Sequence, residues 1–444
     1  MSAAPPVASR PFVVVGAGLG GALMATLLAR AGHRVIVLER RADVRRGATE
    51  SGRSINLAIS ARGLQALAQV GLEADALRLG IPLRGRMIHP VRGPLAFQPY
   101  GAHGQAINSV ARADLNRLLL DAAERAGAEI QFGRRAVGVD PARGQVTSVD
   151  AASGGERTDA GTVVGADGAY SVVRTSLEHR DRHDYSQSYL GHGYKELIIP
   201  PGPGGSHVLE KHALHIWPRG GFMMMAMANL DGSFTVTLYL PWEGTSGFAA
   251  LETPDAVRPF FQSEFPDAIP LLPTLERDFF THPTGSLVTV RNGSWHEGDR
   301  AVLLGDAAHA IVPFFGQGAN AAFEDCLALD AALRRRPDDR SAAFAAYEAE
   351  RRPNAEAIAD LALANFREMR DHVGSPLFRM EKRGERLLHR LFPSWFVPLY
   401  TMISFSLIPY VEARRRARRQ ARVVRVMLVG LGLAAVVILG VLLR

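Results

Sequence analysis

The sequence predicts an α/β chain: a Rossmann-type nucleotide-binding domain, an inserted antiparallel β-sheet substrate domain, a helical C-terminal region and a C-terminal transmembrane helix. Three observations predict it. The apolar run Pro11-Phe12-Val13-Val14-Val15 enters a glycine-rich turn, then a helical stretch and a second apolar run. Ser233 to Leu240 alternates polar and apolar side chains, the period of a half-buried strand. Val426 to Leu443 holds only apolar residues and glycine, about 27 Å of helix against a hydrocarbon layer of about 30 Å.

Composition bounds the reading. With 444 residues, 47% hydrophobic and 21% charged, the chain can bury a large core and is not a disordered one. The single cysteine, Cys326, excludes an internal disulfide and reads as a small core residue. No cysteine and histidine set has metal-site spacing, so no metal is predicted. Eight of the 51 basic residues are arginines within 413–444, a stretch without an acid. That leaves 43 basic against 44 acidic residues elsewhere, which is no nucleic-acid footprint.

The first element is the strand at 11–15 with Gly16-Ala17-Gly18-Leu19-Gly20-Gly21 behind it. Gly16 turns the chain, Gly18 admits a pyrophosphate, and Gly21 lets helix and strand pack. The helix runs to about Arg30, and the second strand, Arg34 to Leu38, ends at Glu39, an acceptor for ribose hydroxyls. Arg41 joins these at the adenosine and pyrophosphate end. A second strand-to-helix turn follows at Val163 to Arg174, with Asp167-Gly168 at its bend. A third follows Ala301-Val302-Leu303-Leu304: Gly305-Asp306 at a strand's carboxyl end, Pro313, then Gly316-Gln317-Gly318 and a helix from Ala319. A helix amino terminus offers unpaired N–H groups and partial positive charge to an electron-rich ring. The first motif serves NAD or FAD alike. The distant Asp306 turn selects FAD, whose ribitol and ring need a second anchor: Asp306 for ribitol, Gly318, Ala319 and Asn320 for the ring.

Between 189 and 289 the pattern turns antiparallel. Phe234, Val236, Leu238 and Leu240 share one face, Asn229 to Gly232 forms a hairpin turn, and the methionine-rich strand Phe222 to Ala228 reads as core. Residues 341–390 are helical by pattern, and Pro393, Pro398 and Pro409 then break the helices. The expected domains are 10–188 with 290–340 for FAD, 189–289 for the substrate sheet with 81–105 contributing to the substrate site, and 341–412 for the helical region. A basic juxtamembrane linker, 413–425, and the span 426–443 complete them. The arginines place the enzyme on the cytosolic side of a single-pass C-terminal anchor.

The three nucleotide elements in this order resemble the single-component flavoprotein aromatic hydroxylases. Further motifs narrow the resemblance. They are Gly52-Arg53-Ser54-Ile55-Asn56-Leu57-Ala58-Ile59-Ser60, Arg84-Gly85-Arg86-Met87-Ile88-His89 and Gln98-Pro99-Tyr100-Gly101. Others are His192-Gly193-Tyr194-Lys195-Glu196-Leu197, Leu214-His215-Ile216-Trp217-Pro218-Arg219 and Pro398-Leu399-Tyr400-Thr401-Met402. Together they are similar to the kynurenine 3-monooxygenase family as far as about Tyr410. Two departures stand out: Ala319 where methionine is common, and Phe315 where some bacterial members carry histidine.

The resemblance implies that L-kynurenine, NADPH and O2 give 3-hydroxy-L-kynurenine through a flavin C4a-hydroperoxide, in tryptophan degradation. It implies no obligatory catalytic side chain. It adds Leu38, Arg40, Ala58 and Arg112 to the FAD set and places Asp167 near FAD and the nicotinamide. It assigns the amino-acid end of the substrate to Arg84, Tyr100, Asn365 and Tyr400, with Phe314 and Phe315 walling the ring. Animal members also carry a C-terminal membrane segment. Two other readings remain open at this point: a flavin hydroxylase of a salicylate-like acid, and a non-enzymatic membrane-tethered flavoprotein.

Overall fold

The computed structural model describes residues 10–47, 56–101, 104–178, 184–372 and 375–442. The continuous apolar runs become a six-stranded sheet of β1 (Phe12–Val15), β2 (Val35–Glu39), β8 (Glu129–Phe132), β12 (Thr162–Gly165), β18 (His296–Glu297) and β19 (Ala301–Leu303). Their order is β18-β19-β12-β1-β2-β8. β1 pairs in parallel with β2 and β12, and β12 with β19. Strands buried on both faces read as unbroken apolar runs, which is why these were visible in the sequence. Two three-stranded sheets flank it. One holds β3 (Asn56–Ile59), β4 (Gly80–Leu83) and β7 (Ile107–Ala111); the other holds β9 (Arg134–Asp140), β10 (Gln145–Asp150) and β11 (Glu156–Ala160).

The alternating stretches build a seven-stranded sheet. Its strands are β5 (Gly85–Ile88), β6 (Ala96–Pro99), β13 (Tyr185–Ile199), β14 (Ala213–Pro218), β15 (Met223–Ala228), β16 (Phe234–Pro241) and β17 (Gly285–Asn292), in the order β17-β13-β16-β15-β14-β5-β6. The expected limits 189 and 289 thus fall inside strands. Phe234, Val236, Leu238 and Leu240 are buried together on one face of β16.

The helices are α1 (Leu19–Arg30), α2 (Ala61–Gln69), α3 (Glu73–Arg78), α4 (Arg112–Arg125), α5 (Val172–Glu178), α6 (Pro254–Glu264) and α7 (Leu275–Thr281). They continue with α8 (Asp306–His309), α9 (Gly318–Arg335), α10 (Arg340–Arg367), α11 (Pro376–Leu391), α12 (Leu399–Ser404) and α13 (Tyr410–Leu442). A π-helical turn, Glu368–His372, extends α10. Two apolar cores result. One surrounds the parallel sheet with α1, α4 and α9; the other joins the seven-stranded sheet to α10, α12 and the start of α13.

The expected transmembrane helix is corrected: among the described residues, no helix is long and apolar enough to cross a membrane. The single-pass anchor and the cytosol-facing placement fall with it. Ahead of the apolar run, α13 opens with arginine-rich turns that pack on the protein. These turns are docked helix, not a linker: Ala413 is buried, Arg414 pairs with Asp360 of α10 at 2.7 Å, and Arg416 pairs with Glu412. The side chains of 428–442 and residues 443–444, which hold most of the apolar run, lie outside the described residues, as do Gly52 to Ile55 of the motif at 52–60.

Candidate active site

An inner cavity of about 290 Å³ lies between the parallel sheet and the seven-stranded sheet. The cofactor half of its wall comes from four junctions. Gly18 and Leu19 open α1, Ala58 lies on β3, Gly305 and Asp306 follow β19, and Gly318 and Ala319 open α9. Arg112, at the start of α4, reaches the same wall and its charge acts on Asp306. The substrate half is Arg86, Tyr100, Phe314, Phe315 and Tyr400, with Met225, Met227, Thr237 and Tyr239 from the sheet.

The first turn fits a dinucleotide. Gly16 has φ +99°, and a Cβ there would stand 2.6 Å from the Ala166 carbonyl oxygen. A Cβ on Gly21 would meet the Gly16 oxygen at 1.9 Å, so helix and strand touch there. Gly18, in contrast, has nothing among the described residues within 4 Å of its missing Cβ, the open cradle a pyrophosphate requires. Glu39 is buried and accepts from Ala17 N at 2.8 Å and from Arg41 N and Nε at 3.0 and 2.8 Å. Burial alone would push its carboxyl up, but these donors hold it below the usual range.

Asp306 opens into the cavity, while the protein around it still pushes its carboxyl up by desolvation. The α9 amino terminus faces the same space. Its N-cap, Gln317, makes no side-chain cap because it accepts from the Tyr410 hydroxyl at 3.0 Å instead. Donors at a helix start, a carboxylate for hydroxyls and an open glycine cradle are the set that FAD needs.

Four other expected cofactor residues, Leu38, Arg40, Asp167 and Asn320, do not line this cavity. Leu38 is core, and Arg40 is exposed. Asp167 accepts from Val172 N at 2.7 Å and from the Ser171 hydroxyl, so it caps α5, while its neighbours Ala166 and Gly168 line the cavity. Asn320 is fully buried and stapled: Oδ1 accepts from Ser60 N at 2.9 Å, and Nδ2 donates to the Ala58 and Gly316 carbonyls, both at 2.8 Å. It holds the wall in place from behind.

Among the substrate candidates, Tyr100 and Tyr400 stack at 4.8 Å, Phe315 stacks on Tyr400 at 5.7 Å, and Phe314 meets Tyr239 at 4.9 Å. Asn365 is buried and donates Nδ2 to the Phe314 carbonyl at 2.6 Å. It lines a second, outer cavity of about 770 Å³ that shares Arg86, Tyr100, Phe315 and Tyr400 with the inner one.

Arg84 is not brought to either cavity; it is exposed, at the point where the chain crosses from β4 to β5 and changes sheet. Arg86, two residues on, is the buried guanidinium of the site. It lies 5.1 Å from the Tyr400 ring and 5.9 Å from the Tyr100 ring, with Glu368 at 3.6 Å. Both arginines stand in one short motif, and only the sheet crossover tells them apart. Met225 and Met227 were also missed as wall residues. Their half-buried alternation with Met224, at 0% exposure, separates cavity from core, and three adjacent methionines conceal it in sequence.

Residues 10–362 match the family model of the FAD binding domain. Kynurenine 3-monooxygenase of Myxococcus xanthus is 53% identical over 400 residues, covering 89% of this chain and 86% of that one. The chain belongs to the kynurenine 3-monooxygenase family. The Salinispora tropica member is 48% identical over 431 residues, 96% of this chain and 94% of its own. Among solved structures, 2-methyl-3-hydroxypyridine-5-carboxylic acid oxygenase superposes with TM-score 0.68 at 22% identity, over 84% of this chain and 96% of that one. P. aeruginosa PqsL in complex with 2-aminobenzoylacetate gives 0.65 at 24%, over 82% and 97%. At those identities the likeness is one of fold. Family membership makes the chain an FAD-dependent monooxygenase.

Proposed function

We propose that Arg86, Tyr100 and Tyr400 hold the amino-acid end of L-kynurenine while the enzyme, using NADPH and O2, hydroxylates its ring to 3-hydroxy-L-kynurenine. The observation that carries this reading is the buried cluster of Arg86, Tyr100 and Tyr400 on the wall common to both cavities, in which Arg86 Nε and Tyr100 Oη find no hydrogen bond of normal geometry among the described residues. Buried donors of this kind are costly unless a ligand meets them. A carboxylate meets both, accepting from the guanidinium fork and from the phenol. Burial pushes the Tyr100 phenol well up, so it stays protonated and donates.

The rest of the wall orients and dries the substrate. Asn365 keeps Nδ2 on the Phe314 carbonyl, which leaves Oδ1 to accept from the substrate ammonium. Glu368 balances Arg86 on the outer side. Phe314 and Phe315 confine the ring beneath Ala319 and Asp306. Bound FAD, once reduced by NADPH, supplies the activated oxygen. The aniline nitrogen of kynurenine already donates electrons to the carbon beside it, so no side chain has to remove a proton to activate the ring.

The test is steady-state kinetics that follows NADPH loss and hydroxykynurenine together. A hydrogen bond to a charged group contributes roughly 1.5–3 kcal/mol, so Arg86→Ala should raise KM for kynurenine roughly ten- to 150-fold. Arg86→Lys should recover only part, since lysine lacks the planar fork. Arg84→Ala should leave KM near the wild-type value. An unchanged KM in Arg86→Ala, or efficient wild-type turnover of salicylate in place of kynurenine, overturns the assignment.

A further inference from the structure

Arg62, near the start of α2, is wholly buried yet lines neither cavity. Its Nε donates to the Ile403 carbonyl at 2.9 Å, its Nη2 to the Met402 and Ile408 carbonyls, and its Nη1 to Glu324 of α9 at 2.5 Å. Its guanidinium lies 4.0 Å from the centre of the Tyr410 ring. Tyr410 in turn donates to Gln317, the N-cap of α9. Apart from Glu324, every group on Arg62 belongs to residues 402–410, and Tyr400 stands two residues before them.

We infer that Arg62 is a positioning residue for the substrate: it seats α12 so that Tyr400 stacks between Tyr100 and Phe315. The stretch needs such a clamp. α12 has six residues, far short of the length at which a helix holds by itself, and Pro398 and Pro409 interrupt the chain around it. Carbonyls at the end of a short helix have no partner within it, and Arg62 supplies one for two of them, Met402 and Ile403, and for Ile408 in the link to α13. A polar chain then leads to the cofactor side. Glu324 accepts from Arg351 Nη2 at 3.2 Å, Arg351 Nε donates to Asp325 at 2.7 Å, and Asp325 accepts from Gly305 N at 3.2 Å. One connected set of bonds therefore sets the spacing between the Tyr400 wall and the Gly305–Asp306 turn.

This inference rests on the kynurenine reading, and its test separates the two. The experiment prepares wild type, Arg62→Lys, Arg62→Met and Tyr410→Leu with FAD bound. It measures flavin content, KM for kynurenine, and the share of NADPH oxidation that yields hydroxylated product. It also measures hydrogen exchange at the amides of 402–405 without substrate. Full flavin content is expected throughout. KM should rise by about tenfold or more in Arg62→Met and by less in Arg62→Lys, with more peroxide released because the ring is held loosely. Exchange at 402–405 should quicken in the same order. A yellow, folded Arg62→Met with wild-type KM, coupling and exchange overturns the inference. So does flavin loss that tracks the KM change, since the role would then be general support of the fold. If Arg62→Met does not fold, Arg62→Lys and Tyr410→Leu decide by the same readouts: raised KM with quickened exchange supports the clamp, and wild-type values in both overturn it. A wild type that leaves kynurenine unhydroxylated counts against the substrate reading, while the exchange data still decide the clamp.

Discussion

One missing Cβ separates the roles of two glycines in the first turn. At Gly21 the atom would lie 1.9 Å from a backbone oxygen, so Gly21→Ala must push α1 off β1. At Gly18 it would enter open space, and the backbone there is extended, with φ −69°, a conformation valine accepts. Gly18→Val should therefore fold, with a melting temperature near that of wild type, and purify without the yellow flavin. Gly21→Ala should lose stability first. The check is flavin absorbance beside a thermal melt, and full FAD content in Gly18→Val would remove the pyrophosphate from that cradle. These glycines were legible because their constraint is local to the chain. The choice between Arg84 and Arg86 was not, because it depends on where β4 ends and β5 joins another sheet, a fact of tertiary pairing with His212 and Ile216. Asn320 shows the same limit. Its place at a helix start was readable, but its three partners at 58, 60 and 316 are brought to it by the fold.

The elements themselves were mostly written in hydrophobic period, and what the period left out is polar pairing between them. β5 and β14 run parallel, and their junction carries His89 and His215, whose rings approach at 2.9 Å, with Asp267 accepting from Trp217 and paired with His89. His215 is almost wholly buried, and burial lowers its imidazole from 6.5 to about 4, with the neighbouring His89 adding to the effect. The fold thus keeps His215 neutral. The unfolded chain takes up its proton near pH 6.5 and the folded one only near 4. The stability due to His215 is complete above about pH 6.5 and is lost as the pH falls towards 4. A shift of this size corresponds to about 3 kcal/mol across that window. His215→Gln should be less stable than wild type at pH 7, yet its melting temperature should fall less steeply between pH 6.5 and 4.5. Parallel curves for the two proteins would place the acid sensitivity elsewhere, for instance in the buried Asp325 with Arg351 and His309.

At the scale of the molecule, the expectation that fails is the membrane span at the C-terminal end. The apolar run at 426–443 resembles a span when read alone, but α13 begins at Tyr410, and its arginine-rich turns dock on α10 through Asp360. Tyr410 and Ala413 are core residues there. This docked part completes the site. Val424 and Arg425 line the outer cavity, and among the described residues no later one lines either cavity. Two truncations should therefore differ. Ending the chain after Met427 leaves every described lining residue present, so flavin content and KM for kynurenine should stay near wild type. Ending it after Pro398 removes Tyr400, the carbonyls that Arg62 holds, and Met402, Ile403 and Tyr410 from the second core. Each buried side chain of that size contributes about 1.5–3 kcal/mol, so the melting temperature should drop. The parallel sheet and the Asp306 turn draw on the other core, so FAD should still bind. With Tyr100 and Phe315 left without the ring between them, kynurenine should bind at least about a hundredfold more weakly, the scale of two or more lost contacts. Spectral titration of both truncations with kynurenine, beside their flavin content, measures this. Equal kynurenine affinity in the two would mean that the C-terminal helices cover the site without forming it.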